Sequence, residues 1–358
     1  MGLTHRENYL RNARFGGPEY LPCTVSISGA SWNQLRGDLE DVLVRHPWMY
    51  PGFEKGKRDY EHWDFGNAHR AGERFRDAWG CVWESAIDGL EGVVVEHPLT
   101  DWAALETWQP PDPLVTGDRG PVDWEQTARR VAEAKSRGNL TVGGVPHGFL
   151  FMRLTYLRGF ENLMIDMATE APRLQGLLDL LVEHNQKIVE QYVAMGVDLM
   201  NLGEDLGAQS APLLSPAMFH KWITPAYEKL IAPCAEAGML VALHSDGNIM
   251  GLMDEFRFAG VNIINPQDLC NGIENLAREV KGRFCIRLDV DRQKIVPFGT
   301  RKEIRELIEY EVRTLGAPEG GLELICGVYP PTPAENVDAV LEAMRDFRTW
   351  WWDGRAKA

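Results

Sequence analysis

The sequence is poor in positively charged residues for its size. Its 358 residues include 37 lysines and arginines against 52 aspartates and glutamates, which gives a net charge of −15 at pH 7. A protein with this charge repels a phosphate backbone and an anionic lipid surface. We therefore expect neither nucleic acid nor a membrane among its partners.

Long apolar runs and closely spaced cysteines are also lacking. No run reaches the roughly 18 apolar residues that a membrane-spanning helix needs, and the N-terminal segment carries charge throughout, unlike a signal peptide. The cysteines at 23, 81, 234, 270, 285 and 326 show neither the paired spacing of a structural zinc site nor a disulfide framework. These features predict reduced thiols and a cytoplasmic protein.

No GxGxxG turn follows a first strand, so an open doubly wound sheet is only the alternative fold. From about residue 196, short apolar runs alternate with helical patterns, which is typical of βα units. The strand predictions are 21–28, 140–151, 197–203, 239–243, 261–264, 283–288 and 322–325. About seven or eight such units predict the α/β class and a closed (β/α)₈ TIM barrel.

The segment 45–135 has weak periodicity and is rich in tryptophan, proline, glycine and charge. We interpret it as an elaborate insertion over one end of the barrel, with a small hairpin within residues 81–98. No internal repeat or linker interrupts the chain, so residues 1–358 are predicted to form one domain. The sequence TWWWD at 349–353 is interpreted as a cap on the fold, a subunit contact in a homodimer, or both.

Polar residues follow the predicted strands at the edge where parallel barrels carry their functional groups. They are Glu204 and Asp205, His244 and Asp246, Asn265 and Gln267, Asp289 and Asp291, Cys326 and Tyr329, and His147 after the strand that starts at 140. Imidazole, thiolate and carboxylate are the groups that bind Zn²⁺ in a roughly tetrahedral shell. We therefore predict a zinc site made by His244, Cys326 and one or both of Glu204 and Asp246.

Each of these residues also has a structural interpretation. A single histidine at a strand end is often a hydrogen-bonded structural residue, and a single buried cysteine such as Cys326 is often an inert small apolar residue. Glu204 and Asp205 are also suited to capping the next helix, and Asp289 and Asp291 to binding loop amides.

Five segments occur in order along the chain: GEDLGAQSAPLLSPAMFHKWITPAYEKLI, HSDGNI, GVNIINPQD, LDVDRQKIVPFGTRKEI and ICGVYPPTPAENVDAVLEAM. Together they resemble the uroporphyrinogen decarboxylase superfamily, which contains porphyrinogen decarboxylases and cobalamin-dependent methyltransferases. The resemblance covers roughly residues 1–350 and is strongest from 197 to 345. It implies a TIM barrel with its site at the C-terminal mouth.

In the methyltransferase branch, the zinc motif is His-x-Cys followed much later by Cys-Gly. His244 and Cys326 match this motif, whereas Asp246 stands in place of the middle cysteine. The resemblance implies a zinc-dependent methyltransferase that moves a methyl group between a small methylated compound and a corrinoid on a separate protein. The carboxylate in place of a thiolate favours a methyl ether, and thus O-demethylation, with zinc acting as a Lewis acid.

Within this interpretation, His147, Asp205 and Tyr329 are the predicted catalytic residues, and Gln267, Asp289 and Asn265 the predicted substrate-binding residues. The chain has no DxHxxG cobalt-ligand motif, so cobalamin is expected as a transient cofactor that the partner carries.

Two alternatives remain open. The first is a metal-free decarboxylase or lyase in which Asp205 or Asp246 orients a pyrrole-like or other cyclic substrate. Porphyrinogen decarboxylases share an RQAGRY-like stretch whose arginines bind substrate carboxylates, but the corresponding region here has only Arg36. The second alternative is a barrel that binds a tetrapyrrole or corrinoid without catalysis.

Overall fold

The computed structural model describes residues 2–357. Two compact units are found in it. The first consists of Met1–Glu73, Ser85–Gly92 and Pro266–Ala358, and the second of Arg74–Glu84 and Val93–Asn265. The single-domain assignment and the position of segment 45–135 over a barrel end stay predictions.

The strands along the described chain are β1 (Cys23–Ile27), β2 (Arg74–Arg76), β3 (Val82–Glu84), β4 (Val93–Glu96), β5 (Thr116–Gly117), β6 (Gly120–Pro121), β7 (Val142–Gly144), β8 (Leu199–Glu204), β9 (Leu240–Ser245), β10 (Ile263–Pro266), β11 (Cys285–Asp289) and β12 (Leu322–Val328). The helices are α1 (His5–Ala13), α2 (Gly29–Arg45), α3 (Trp124–Ser136), α4 (Phe151–Arg158), α5 (Phe160–Thr169), α6 (Leu174–Met195), α7 (Pro216–Trp222), α8 (Thr224–Glu236), α9 (Met253–Ala259), α10 (Asp268–Asn271), α11 (Ile273–Glu279), α12 (Ile295–Phe298), α13 (Arg301–Leu315) and α14 (Ala334–Phe347). None of these helices is both long enough and apolar enough to cross a membrane.

The main sheet has seven strands in the order β1-β12-β11-β10-β9-β8-β7. Its strands follow the chain without a reversal of order, and a doubly wound sheet needs such a reversal. The last strand pairs in parallel with the first, with Val25 opposite Cys326, as expected where a barrel sheet returns to its start. The predicted TIM-barrel class is confirmed, although an eighth strand is not found between residues 2 and 357.

The buried side chains explain why the parallel strands could be recognised in the sequence. In β12, every residue except Ile325 is buried, because a parallel sheet covered on both faces favours continuous apolar runs. Helix α13 is amphipathic. In α13, Ile304, Ile308 and Val312 lie on one buried face, and Thr300 and Glu303 form a capping box at its start.

Several predicted boundaries move. The strand predicted at 140–151 is only Val142–Gly144, because the chain turns at Gly148, where φ is +72°, and α4 begins at Phe151. Strand β9 continues through His244 to Ser245, because its ladder with β8 extends as far as Glu204. The hairpin predicted within 81–98 is confirmed by the antiparallel pairing of β3 with β4.

Candidate metal centre

The centre is built around the end of β8. Glu204, its last residue, is fully buried. The Glu204 carboxylate accepts backbone N–H groups of Leu150 at 2.7 Å, Phe151 at 2.9 Å and Met152 at 2.8 Å. These donors lie at the start of α4, where free N–H groups and the helix dipole favour an anion. Glu204 therefore ties the loop that contains His147 to β8.

Burial raises the pKa of Glu204 to about 7, although the three N–H groups lower it in part. Both carboxylate oxygens are used by backbone donors. The donors belong to α4, which precedes β8, so Glu204 caps an earlier helix and not the next one, and its role as a metal ligand stays a prediction.

The residue before Glu204 makes room for an imidazole. A Cβ atom at Gly203 would lie 2.8 Å from Cδ2 of His147, a distance that real Cβ atoms do not tolerate. Gly203 is also the ladder partner of His244 on β9. The absence of a side chain at position 203 therefore lets the His147 ring approach the strand pair β8 and β9.

His244 has a fixed orientation. Its Nδ1 lies 2.9 Å from Oδ1 of Asn265, at the end of β10, and its Nε2 lies 3.2 Å from Oδ1 of Asp246. An amide oxygen only accepts, so Nδ1 is the protonated nitrogen and Nε2 carries the lone pair in the neutral ring. Asn265, expected to bind substrate, thus contacts a candidate metal ligand.

His147, Asp205 and His244 form the candidate cluster. One ligand atom of each lies within 4.8 Å of the others, and no other described set of three His, Cys, Asp or Glu residues meets this spacing. Nε2 of His147 is 3.4 Å from Oδ1 of Asp205, and the two imidazole centroids are 5.7 Å apart. The sequence analysis predicted a metal-binding role only for His244 among these three.

The donor atoms of this cluster fit a metal cation. Oδ1 of Asp205 is buried, and no described residue donates a hydrogen bond to it. An ionised oxygen without a donor is costly, and a cation removes that cost. Ligands held about 2.1 Å from a tetrahedral ion lie roughly 3.4 Å apart, which matches the distance between Nε2 of His147 and Oδ1 of Asp205. Two imidazoles and one carboxylate leave a fourth position of Zn²⁺ open.

Cys326 and Asp246 do not belong to this three-residue group. Cys326 is fully buried within β12, in the first unit, and burial together with the nearby Asp289 raises the pKa of its thiol well above the ordinary range. A metal binds the thiolate form, and the role of Cys326 as a ligand stays a prediction. Oδ1 of Asp246 lies 3.2 Å from Nε2 of His244, and the role of Asp246 as a ligand stays a prediction.

The remaining predicted residues lie in the first unit. Gln267 and Asp289 form an isolated parallel bridge and are both buried. Nε of Arg292 is 3.4 Å from Oδ2 of Asp289, and its guanidinium lies 5.2 Å from the ring centroid of Tyr329. Asp291 accepts the N–H groups of residues 293 and 294, which is the loop-amide role left open in the sequence. The roles of Gln267, Asp289 and Tyr329 toward a substrate stay predictions.

Sequence reasoning missed two residues in these groups. Gly203 had a signal, since a glycine directly before two acidic residues at a strand end suggests a close approach of another group. Arg292 had a weaker signal, its position directly after Asp291, one of the polar residues that follow the predicted strand 283–288.

One solved structure is similar in fold over almost the whole chain. A methyltransferase from Methanosarcina mazei has a similar structure, with a TM-score of 0.65 and 17% sequence identity over 96% of this chain and 98% of that one. A B12-independent methionine synthase from Shewanella sp. W3-18-1 gives a TM-score of 0.41 at 14% identity, over 63% of this chain and 66% of that one. No curated protein matches the sequence.

A family model extends the likeness to the sequence. The model described as uroporphyrinogen decarboxylase (URO-D) matches residues 78–347. This range contains all three residues of the candidate cluster and more than half of the chain. The chain therefore belongs to the uroporphyrinogen decarboxylase family.

Proposed function

We propose that this protein is a zinc-dependent methyltransferase that moves a methyl group from a small methyl ether to a corrinoid carried by a separate protein. The observation that carries the proposal is the cluster of His147, Asp205 and His244, in which one carboxylate oxygen is buried without a donor. The resemblance to the methyltransferase branch supports the same reaction class. The methyltransferase from Methanosarcina mazei contributes the shared fold only.

The residues around the metal have distinct roles in this proposal. His147, His244 and Asp205 hold the ion, and Asn265 keeps the proton on Nδ1 of His244 so that Nε2 is free to bind. A bound zinc supplies Lewis acidity toward the ether oxygen. Glu204 and Gly203 act as positioning residues, because one holds the His147 loop and the other makes space for its ring.

The charges near the cluster favour a neutral methyl donor. Asp205 and Asp246 both lie beside a histidine of the cluster, so a polycarboxylate substrate would meet negative charge. In the alternative reaction, arginines bind the substrate carboxylates. Arg36, the one arginine in the corresponding region, is already paired with Glu61 at 2.6 Å. Porphyrinogen decarboxylation is therefore the weaker candidate.

Metal analysis tests the proposal directly. We expect about one zinc per chain in wild type and loss of zinc in His147→Ala, Asp205→Asn and His244→Ala. His220→Ala is the matched control, because His220 is an exposed histidine paired with Glu255 on other elements. Cys326→Ser distinguishes the cluster from the zinc site predicted from the sequence, which includes Cys326. Retained zinc in this variant supports the cluster, and lost zinc supports the predicted site with Cys326.

Activity is then measured as methylation of reduced cobalamin by methyl ethers, followed by its absorption spectrum. Transfer that disappears in the three cluster variants and persists in His220→Ala is the expected result. A wild-type protein that takes up no metal after incubation with zinc under reducing conditions would refute the mechanism. That outcome would favour the metal-free lyase.

A further inference from the structure

A cavity of about 340 Å³ lies within the second unit. Its walls come from α6, the start of α3, the β5–β6 hairpin and the segment that follows β7. None of His147, Asp205 and His244 lines it. The volume is at the lower end of the range found for small-molecule sites, so it suits one small ligand.

Most of the wall is apolar and part of it is aromatic. Val122, Val145 and Ile188 supply aliphatic surface. The rings of Trp124 and Tyr192 meet edge to face with centroids 5.4 Å apart. Nε1 of Trp124 donates a hydrogen bond to a backbone carbonyl at 3.1 Å. This bond holds the indole ring, which lines the cavity, in a fixed position. Such surfaces favour a planar aromatic ligand.

His184 supplies a hydrogen-bond acceptor to this lining. Its Nδ1 lies 3.1 Å from the carbonyl oxygen of Pro111, which can only accept, so Nδ1 carries the proton. Burial lowers the pKa of His184 to about 4, and the ring is therefore neutral at pH 7. Nε2 then has a lone pair, and no described residue donates to it. A ligand O–H or N–H group would satisfy this atom.

The charge at the cavity is already balanced. Among the described lining residues, Asp118 is the only acidic one, and none is a lysine or an arginine. Its Oδ2 accepts from Nη2 of the buried Arg153 at 2.7 Å, and its Oδ1 accepts from Nε1 of Trp79 at 2.6 Å. A cationic ligand would find no unpaired carboxylate, and an anionic ligand would find no lysine or arginine among the lining residues.

We propose that this cavity binds a small uncharged aromatic molecule that carries a hydroxyl group, of the phenol class. The ring packs against Trp124 and Tyr192, and the hydroxyl donates to Nε2 of His184. This assignment is independent of the proposed methyl transfer, since it uses none of the cluster residues. Pro146 lines the cavity and directly precedes His147, so the ligand would contact the segment that holds a candidate metal ligand.

Calorimetric titration with four matched probes tests the proposal: phenol, anisole, benzoate and benzylamine. We expect phenol to bind wild type about tenfold more tightly than anisole, which lacks the donor, the effect of roughly one hydrogen bond. His184→Phe removes the acceptor, so it should abolish the preference for phenol over anisole. Val122→Trp fills the cavity and should abolish binding of both.

His220→Phe is the control, because it changes an exposed histidine that does not line the cavity. Thermal unfolding checks that each variant is folded. If His184→Phe does not fold, the ratio of phenol to anisole affinity in wild type and the loss of binding in Val122→Trp still test the proposal. Absence of phenol binding, tighter binding of benzoate or benzylamine, or unchanged binding in Val122→Trp would overturn the proposal.

Discussion

Nδ1 of His244 lies 2.9 Å from Oδ1 of Asn265, so one side-chain amide selects which imidazole nitrogen is free for a metal. Outer partners of this kind orient ligands and raise their basicity. The relationship joins the ends of two neighbouring strands, β9 and β10. A change of Asn265 should therefore affect zinc affinity differently from protein stability.

We therefore expect Asn265→Leu to weaken zinc binding by about 10- to 100-fold, measured by competition with a chromogenic chelator. Asn265→Asp keeps an acceptor oxygen at the same place and should retain affinity closer to wild type. Equal affinity in wild type and Asn265→Leu would contradict the role given to this hydrogen bond.

Gly203→Ala should displace the His147 ring, because the new methyl group would lie 2.8 Å from Cδ2. The expected result is weaker zinc binding with histidine ligation altered in cobalt-substituted absorption spectra. Gly176→Ala is the control, since a Cβ atom at this exposed glycine of α6 meets nothing within 4 Å. An unchanged cobalt spectrum in Gly203→Ala would show that the ring does not need this space.

Glu204 should make stability depend on pH. Its pKa is about 7 in the folded protein against 4.5 as the reference for the unfolded chain. The unfolded chain therefore loses this proton first, and the free energy of unfolding falls as pH rises from about 4.5 to 7, by roughly 3 kcal/mol at most. Above pH 7 both states are ionised and this contribution is constant.

Denaturant unfolding at pH 5 and pH 8 checks this dependence. In Glu204→Gln the group cannot ionise, so we expect a smaller loss of stability between the two pH values than in wild type. Glu190→Gln, an exposed change on α6, serves as the control and should follow wild type. Identical pH dependence in wild type and Glu204→Gln would contradict the assigned pKa.

A second buried acid lies in the first unit. The carboxyl group of Glu311, on α13, is fully buried, and a side-chain hydrogen bond joins it to Asp268. Burial, and then the nearby Asp268, raise the pKa of Glu311 well above its usual value. A neutral amide imitates the protonated acid, so Glu311→Gln should be at least as stable as wild type at pH 8.

The measurement is the free energy of unfolding of both proteins at pH 5 and pH 8. Glu311→Gln should gain stability relative to wild type as pH rises. In wild type, the unfolded chain loses the Glu311 proton first, which lowers the free energy of unfolding, whereas glutamine cannot ionise. The exposed Glu306 on the same helix provides the control change Glu306→Gln. A larger deficit of Glu311→Gln at pH 8 than at pH 5 would exclude a protonated Glu311.

The sequence was sufficient to predict the fold because buried parallel strands and amphipathic helices leave a regular apolar pattern, as in β12 and α13. The site was only partly predictable. His244, His147 and Asp205 were recognised as polar residues after strands, but their grouping was not. Adjacent residues 204 and 205 point to different surroundings, and the partners of Glu204 lie 52 to 54 residues away in the sequence.

Cys326 shows a second limit. The predicted strand stopped at residue 325, which placed the thiol in a loop, whereas β12 continues to Val328. The extra ladder positions come from pairing with β1, about 300 residues earlier. Pairing over such a distance has no local signal in the sequence, so the burial of Cys326 could not be deduced from its neighbours.

The same pairing has a consequence for synthesis on the ribosome. Residues 93–265 of the second unit are contiguous, so this part is complete before the final segment of the first unit is made. Strand β1 must wait for β12, its partner in the sheet. At about 5–20 residues per second, the delay is roughly 15 to 60 s. During this time the backbone N–H and C=O groups of β1 lack the ladder partners that β12 supplies, so β1 joins the main sheet only after nearly the whole chain has been synthesised.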